Sequence, residues 1–212
     1  MLSGDEAYER VKKGTQKAAK LYEEWACGTW LSDAGVESVI QTEIARALFN
    51  SKKCFVTLET SLKHAAEWDE NFKKFELRTD AKEKFLSDAL RFDICIWSKN
   101  HKNHKLTGII EVKRSKEAYQ LNKDMTRMRE MILATRDKKN KDVSLRYTMV
   151  AMYLWASSDK ELENVVQRTK AKFDDLVKNV EGGETSSDFE YFPLKALDKS
   201  KFKQCVAIAY FC

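Results

Sequence analysis

Apolar side chains recur in threes and fours at Ala7, Tyr8, Val11, Ala18, Leu21, Tyr22 and Trp25, a spacing that predicts an amphipathic helix over residues 5–27. Asp33 is a good N-cap, and Val36, Ile40, Ile44, Ala47 and Leu48 form one stripe of a second helix running to about Asn50. The period then changes. The alternating, β-branched run CFVTLETSL (Cys54 to Leu62) predicts a short strand. Residues 63–90 are charged and weakly periodic, with Trp68, Phe72, Phe75 and Phe85 as anchors, and predict a helical or irregular connection. RFDICIW (Arg91 to Trp97) and LTGIIEVKRS (Leu106 to Ser115), separated by the polar SKNHKNHK, predict a β-hairpin.

Ala118, Leu121, Met125, Met128 and Ile132 keep helical spacing across Lys116 to Arg136, and DKKNKD reads as a solvated turn. SLRYTMVAMYLW (Ser144 to Trp155) is a near-continuous apolar run, the pattern of a strand covered on both faces. Ser157, Ser158 and Asp159 offer N-caps to a long helix carrying Leu162, Val165, Val166, Phe173, Leu176, Val177 and Val180, which Gly182 and Gly183 stop. FEYFPL follows, and QCVAIAYF reads as a closing strand. The order helix, helix, strand, strand, strand, helix, strand, helix, strand predicts an α/β sandwich with a mixed sheet.

At 212 residues, 43% hydrophobic, the chain can bury one sizeable core, so a single domain over 1–212 is expected, with an N-terminal helical extension over about residues 1–30. One proline and seven glycines disfavour turn-rich all-β designs and flexible linkers. The formal charge of +5 is compatible with a polyanionic partner but does not require one. Cys27, Cys54, Cys95, Cys205 and Cys212 are an odd, scattered set without a CxxC pair. They read as reduced thiols, and a cytoplasmic location follows as the expectation. No apolar stretch approaches a membrane span, and the opening MLSGDEAYERVKK lacks the apolar segment of a secretory signal.

Strand parity brings the chemistry together. On the first hairpin strand Phe92, Ile94 and Ile96 should face one way and Asp93, Cys95 and Trp97 the other. On the second, Ile110 and Val112 should join the first set, leaving Glu111 and Lys113 beside Ile109 on the opposite face. Asp93, Glu111 and Lys113 therefore converge if both strands lie inside the sheet. Burying such charges without partners costs several kcal/mol each. A divalent cation such as Mg²⁺ (or Mn²⁺), held by the two carboxylates, would offset that cost, because hard cations prefer oxygen ligands. The alternative is an ordinary ion pair on a strand.

FDICIW, a variable loop and IIEVKRS resemble the D-x(n)-E-x-K core of the PD-(D/E)XK nuclease superfamily. Phe92 stands where the family's name has proline. With the helix VESVIQTEIARAL, the strand FVTLE and the helix after the hairpin, the resemblance covers roughly residues 33–155. It implies a restriction-endonuclease-like sandwich, a central mixed β-sheet flanked by helices. It also implies Mg²⁺ held by Asp93, Glu111 and the backbone carbonyl of Val112, with Lys113 orienting or activating the attacking water. A lysine beside a metal can have a depressed pKa, and in-line attack on phosphorus needs mostly positioning and electrostatic stabilisation. Members of this family commonly add an acidic residue from the helix before the sheet. Glu37 and Glu43 are the candidates, about 120° apart on a helical wheel. Glu37 is preferred because it lies near the helix start, with Gln41 one turn further along the same edge.

Other candidates have plainer readings. Asp124 and Arg127 can pair on their helix face or reach the edge of the site. Arg114, Lys116, His101 and His104 can contact nucleic-acid phosphates, or simply be solvated side chains. His64 reads as a surface or packing residue, and Met125, Met128 and Met131 as core filler. The functional expectation is a Mg²⁺-dependent nuclease, a DNA endonuclease in a defence, mobile-element or repair setting, for which a homodimer would suit cutting two strands. The alternative is a nuclease-fold module that binds nucleic acid or protein without turnover.

Overall fold

Every residue from Tyr147 to Leu154 is buried, and this apolar run lies in the interior of a six-stranded mixed sheet. The computed structural model describes residues 1–25, 36–69, 91–99, 104–115, 124–129, 131–132, 145–178, 187–193 and 203–212. In chain order the elements are α1 (Gly4–Trp25), α2 (Val36–Phe49), β1 (Cys54–Ser61), α3 (Leu62–Trp68), β2 (Arg91–Ser98) and β3 (Leu106–Ser115). The helical residues 124–129 and 131–132, α4 here, come next. They are followed by β4 (Tyr147–Ala156), α5 (Asp159–Lys178), β5 (Ser187–Pro193) and β6 (Lys203–Phe211). The sheet order is β1-β2-β3-β4-β6-β5, with β3 and β4 parallel and the remaining pairs antiparallel.

Two apolar layers cover the sheet. On one face Ile94, Ile96, Ile110, Val112, Met149, Ala151, Val206 and Ile208 pack with Leu2, Ala7, Val11 and Ala18 of the N-terminal segment and Ile40, Ile44 and Leu48 of α2. On the other, Cys95, Trp97, Ile109, Val150, Met152 and Leu154 pack with Met125, Met128, Met131 and Ile132 of α4 and Leu162, Val165, Val166 and Phe173 of α5. The alternation of neighbours along each strand between these two sets is the period of two that strands impose. The capping serine of α5 is Ser158, whose side chain accepts from the Glu161 amide at 3.2 Å while its carbonyl accepts from Leu162 at 3.0 Å. Among the described residues no helix is long and apolar enough to cross a membrane, and Cys54, Cys95, Cys205 and Cys212 are free thiols.

The short helix α3 falls in the stretch expected to be helical or irregular, and the edge strand β5, formed around FEYFP, goes beyond the predicted order. Among the described residues β5 has one neighbour, β6, and its apolar run is short. Phe92 departs from the expected parity. It packs in the α4–α5 layer with Cys95 rather than with Ile94 and Ile96. The reason lies in the lapse of the ladder around Asp93. The proposed N-cap Asp33, the connection over 70–90 and the Gly182–Gly183 stop lie outside the described residues.

The N-terminal helix packs as a layer of the core. A Cβ placed on Gly14 would lie 2.6 Å from the Ile44 backbone Cα and 2.9 Å from the Glu43 carbonyl oxygen, so glycine is what lets α1 and α2 approach. Gly14→Ala is expected to destabilise the protein by about 1–3 kcal/mol through overpacking, even though alanine gains about 1 kcal/mol in helix propensity. Urea unfolding measures the difference, and an alanine variant as stable as the parent would contradict the close approach.

Candidate active site

Asp93 sits where the sheet's ladder lapses on both sides. The register of β1 with β2 runs from Cys54↔Ser98 to Ser61↔Arg91 but skips the pair Glu59 and Asp93. Glu59 has φ 50°, a left-handed conformation uncommon for a residue with a side chain and costing on the order of 1–3 kcal/mol. It breaks the alternation of β1, so that Thr57 and Thr60 meet through their hydroxyls at 2.6 Å and Thr57 accepts from the Trp97 indole at 2.9 Å. On the other side, the pairing of β2 with β3 ends at Ile94↔Ile110. Beyond that point the Val112 amide donates to Asp93 Oδ2 at 2.6 Å, so a carboxylate takes a donor that a regular ladder would have given to a carbonyl.

The fork between β2 and β3 gathers five charged groups. Lys113 Nζ lies 4.0 Å from Asp93 Oδ2 and 3.6 Å from Glu111 Oε2. Arg127, reaching in from α4, places Nη2 2.9 Å from Glu111 Oε1 and 3.2 Å from Asp124 Oδ1. Glu111 is 1% exposed. Its Oε1 and the Arg127 Nε are both buried without a hydrogen bond among the described residues. The 2.9 Å approach of this pair is therefore a meeting of charges whose N–H groups are not aimed at the oxygen. From the opposite layer, Glu37 Oε1 accepts from the Arg114 amide at 3.2 Å, which brings the start of α2 to the same end of β3.

Burial pushes the Glu111 carboxyl up to about 8, with Asp93 adding to the shift and Arg127 and Lys113 opposing it. Burial by itself would pull the Lys113 ammonium down, but Asp93, then Glu111, Asp124 and Glu37, outweigh it and hold the group above its ordinary value. The expectation of a depressed lysine applies to a lysine beside a bound metal ion. With only the protein's own groups around it, Lys113 faces four carboxylates, and its charged form is favoured.

The other predicted residues divide clearly. Asp93, Glu111, Lys113, Asp124 and Arg127 form one connected cluster, with Glu37 and the backbone of Val112 and Arg114 at its edge. Glu43 is turned toward α1, where it pairs with Lys17 at 3.0 Å and Arg46 at 2.6 Å, and the structure does not bring it to the cluster. Gln41 is buried but makes no hydrogen bond to Asp93, Glu111 or Lys113 among the described residues. His104 packs its ring edge-on against Phe55 with centroids 5.7 Å apart and tilted to Trp68 at 6.1 Å. It precedes Glu111 by seven residues, at roughly 3.3 Å each along a strand, and so belongs to the far end of the hairpin. His101 and Lys116 lie outside the described residues.

Two features were not anticipated from sequence. One is the left-handed Glu59 opposite Asp93, which carries no glycine or asparagine signal. The other is an open cavity of about 430 Å³ beside it, lined by Glu59, Ser61, Lys63, His64, Glu67 and Arg91. His64 stands on the rim of that cavity as an exposed side chain. Among the described residues no group of three or more His, Cys, Asp or Glu side chains is arranged to hold a metal ion. Compared with protein-family models, with curated proteins and with solved structures, the chain matches none.

The raised Glu111 carboxyl makes stability depend on pH with a definite sign. The unfolded chain ionises this group near 4.5, while the folded chain keeps it protonated up to about 8. Its contribution is therefore full below pH 4.5 and is lost as pH rises toward 8. In EDTA, Glu111→Gln is expected to escape that loss and to melt at least about 2–4 °C above the parent at pH 8, the shift that one kcal/mol produces in a chain of this size. Melting curves of the two proteins that stay parallel from pH 5 to 8 would refute the assignment.

Proposed function

We propose that the chain is a metal-dependent nuclease of the PD-(D/E)XK type, with a restriction-endonuclease-like arrangement, hydrolysing phosphodiester bonds in DNA. The observation that carries this reading is the convergence of Asp93, Glu111 and Lys113 in a fork of two sheet strands, with Lys113 Nζ within 4.0 Å of both carboxylates. A buried carboxylate oxygen without a hydrogen bond, on a group already held near 8, is a site whose negative charge the protein's own cations do not fully offset. A hard divalent cation fits that donor set, with Asp93, Glu111 and the Val112 carbonyl as its holders. Bound there, Mg²⁺ or Mn²⁺ would supply Lewis acidity and neutralise charge at phosphorus.

The chain's own groups supply the rest. The Val112 amide fixes the Asp93 carboxylate through the 2.6 Å hydrogen bond, so one ligand is set before anything binds. Lys113, charged and 30% exposed, faces the open side of the fork, where it can orient a water and offset developing charge on a phosphate. Glu37, held on the Arg114 amide, places a further carboxylate near Lys113 and is the accessory acid from the helix before the sheet. The free thiols favour a reducing, cytoplasmic setting. A homodimer would let two such sites act on two strands.

A second reading has its own observation. Lys113 and Arg127 neutralise Glu111 from two sides, and no three-carboxylate group accompanies them among the described residues, as in a structural ion-pair cluster. On that reading the chain is a nucleic-acid-binding or protein-interaction module without turnover. Incubation with plasmid, linear duplex, single-stranded DNA and RNA, each in Mn²⁺ or EDTA, separates the two. The nuclease reading expects Mn²⁺-dependent cleavage of DNA that Lys113→Ala lowers by about 10²- to 10⁴-fold. Cleavage that persists in EDTA, or is untouched in Lys113→Ala, would refute the mechanism, and no cleavage of any substrate would favour the module.

A further inference from the structure

The two oxygens of Glu111 meet different cations, and the division has a consequence for how the site is assembled. Oε2 looks into the fork, 3.6 Å from Lys113 Nζ, whereas Oε1 looks toward α4, 2.9 Å from Arg127 Nη2. Arg127 does not come from the hairpin. It is delivered by a helix whose Met125, Met128, Met131 and Ile132 are sunk in the core, so its backbone position is set by packing and not by the site. Asp124, one turn earlier, holds the same guanidinium nitrogen at 3.2 Å and limits where the arginine can swing. The two buried atoms left without hydrogen bonds at this place, Glu111 Oε1 and Arg127 Nε, belong to the two partners of one ion pair. A small rotation of either side chain would bring the Arg127 Nε–H onto Glu111 Oε1 and satisfy both atoms without engaging Oε2.

We propose that Arg127 is a positioning residue: it ties down Oε1 of Glu111 from the helix layer, so that Oε2 is presented to a divalent cation in the fork. This role rests on the metal-site reading given above and deepens it. The alternatives open to a buried glutamate without such an anchor are to swing away from Asp93 or to take both oxygens out of the fork. Lys113 comes from β3 itself and approaches Glu111 at Oε2, 3.6 Å away, so it is not placed to hold Oε1 from the helix layer. Partners that orient a metal-holding side chain from behind characteristically change metal affinity by about 10- to 100-fold when removed. Because the arginine is 21% exposed at its side chain and its neighbours on the helix are methionines, methionine can replace its stem with little change in volume.

The test is the affinity of the folded protein for Mn²⁺ alone, measured by isothermal titration and by the electron paramagnetic resonance signal of free Mn²⁺. Arg127→Met is expected to weaken Mn²⁺ binding by about 10- to 100-fold, Arg127→Lys to recover part of the loss, and Asp124→Asn to fall between Arg127→Met and the parent. A merely structural arginine would lower the melting temperature and leave the Mn²⁺ affinity of the folded protein where it was. Parent protein that binds Mn²⁺ with Arg127→Met binding it equally well or more tightly overturns the role of Arg127 and leaves the metal-site reading standing. Parent protein that binds no Mn²⁺ overturns the site reading and the role of Arg127 with it. If Arg127→Met does not fold, the comparison of Arg127→Lys with Asp124→Asn decides in the same way.

Discussion

A carboxylate almost wholly removed from water, at the point where two strands part, is the constraint around which this end of the molecule is organised. Glu111 is on β3, in the middle of the sheet, and its strand neighbours Ile110 and Val112 are fully buried. A charge there is stable only if other groups answer it. The molecule answers with Lys113 from the same strand and Arg127 from the helix that covers it, and still leaves the carboxyl held near 8. Purely structural salt bridges at the surface, such as Lys12 with Glu190 at 2.8 Å, carry no such imbalance. On the proposed reading, a divalent cation is what would offset that imbalance.

The irregularities around Asp93 shape the same cluster. A continuous ladder would bind the Val112 amide to a neighbouring carbonyl and leave no gap between strands for anything else. The left-handed Glu59 and the early end of β2–β3 pairing remove Asp93 from the ladder on both sides. Its side chain then replaces a backbone acceptor, which fixes it without a rotamer search. Backbone strain of this kind persists where the surroundings over-determine it. Here they do so through the Thr57–Thr60 contact and the Trp97 indole bond.

The two helix layers contribute unequally. The α1–α2 layer, closed by the approach of Gly14 to Ile44, delivers Glu37 to the Arg114 amide and spends Glu43 on pairing α1 with α2. The α4–α5 layer delivers Arg127 and Asp124. The cluster therefore lies where both layers and the sheet meet, with Asp93 on β2, Glu111 and Lys113 on β3, and Asp124 and Arg127 on α4.

Much of this was legible in the sequence because periodicity reports burial directly. The period of two in RFDICIW and LTGIIEVKRS placed Glu111 and Lys113 on one strand with Asp93 beside them, and the unbroken apolar run at 147–154 marked a strand covered on both faces. The choice between Glu37 and Glu43 was not legible, because both flank the same apolar stripe and only the position of α1 turns one of them into an ion-pair partner of Lys17. Arg127, sixteen residues beyond Glu111 in the chain, was legible only as a helix-face partner of Asp124 or a residue at the edge of the site, and the way α4 packs on the sheet brings it to both Asp124 and Glu111. Phe92 and Glu59 broke the expected alternation because parity holds only while a ladder is regular, and regularity is a property of neighbouring strands. Local pattern determined which residues are charged within an apolar strand. Which of those charges meet, and which are left needing a further partner, was decided by contacts between segments far apart in the chain.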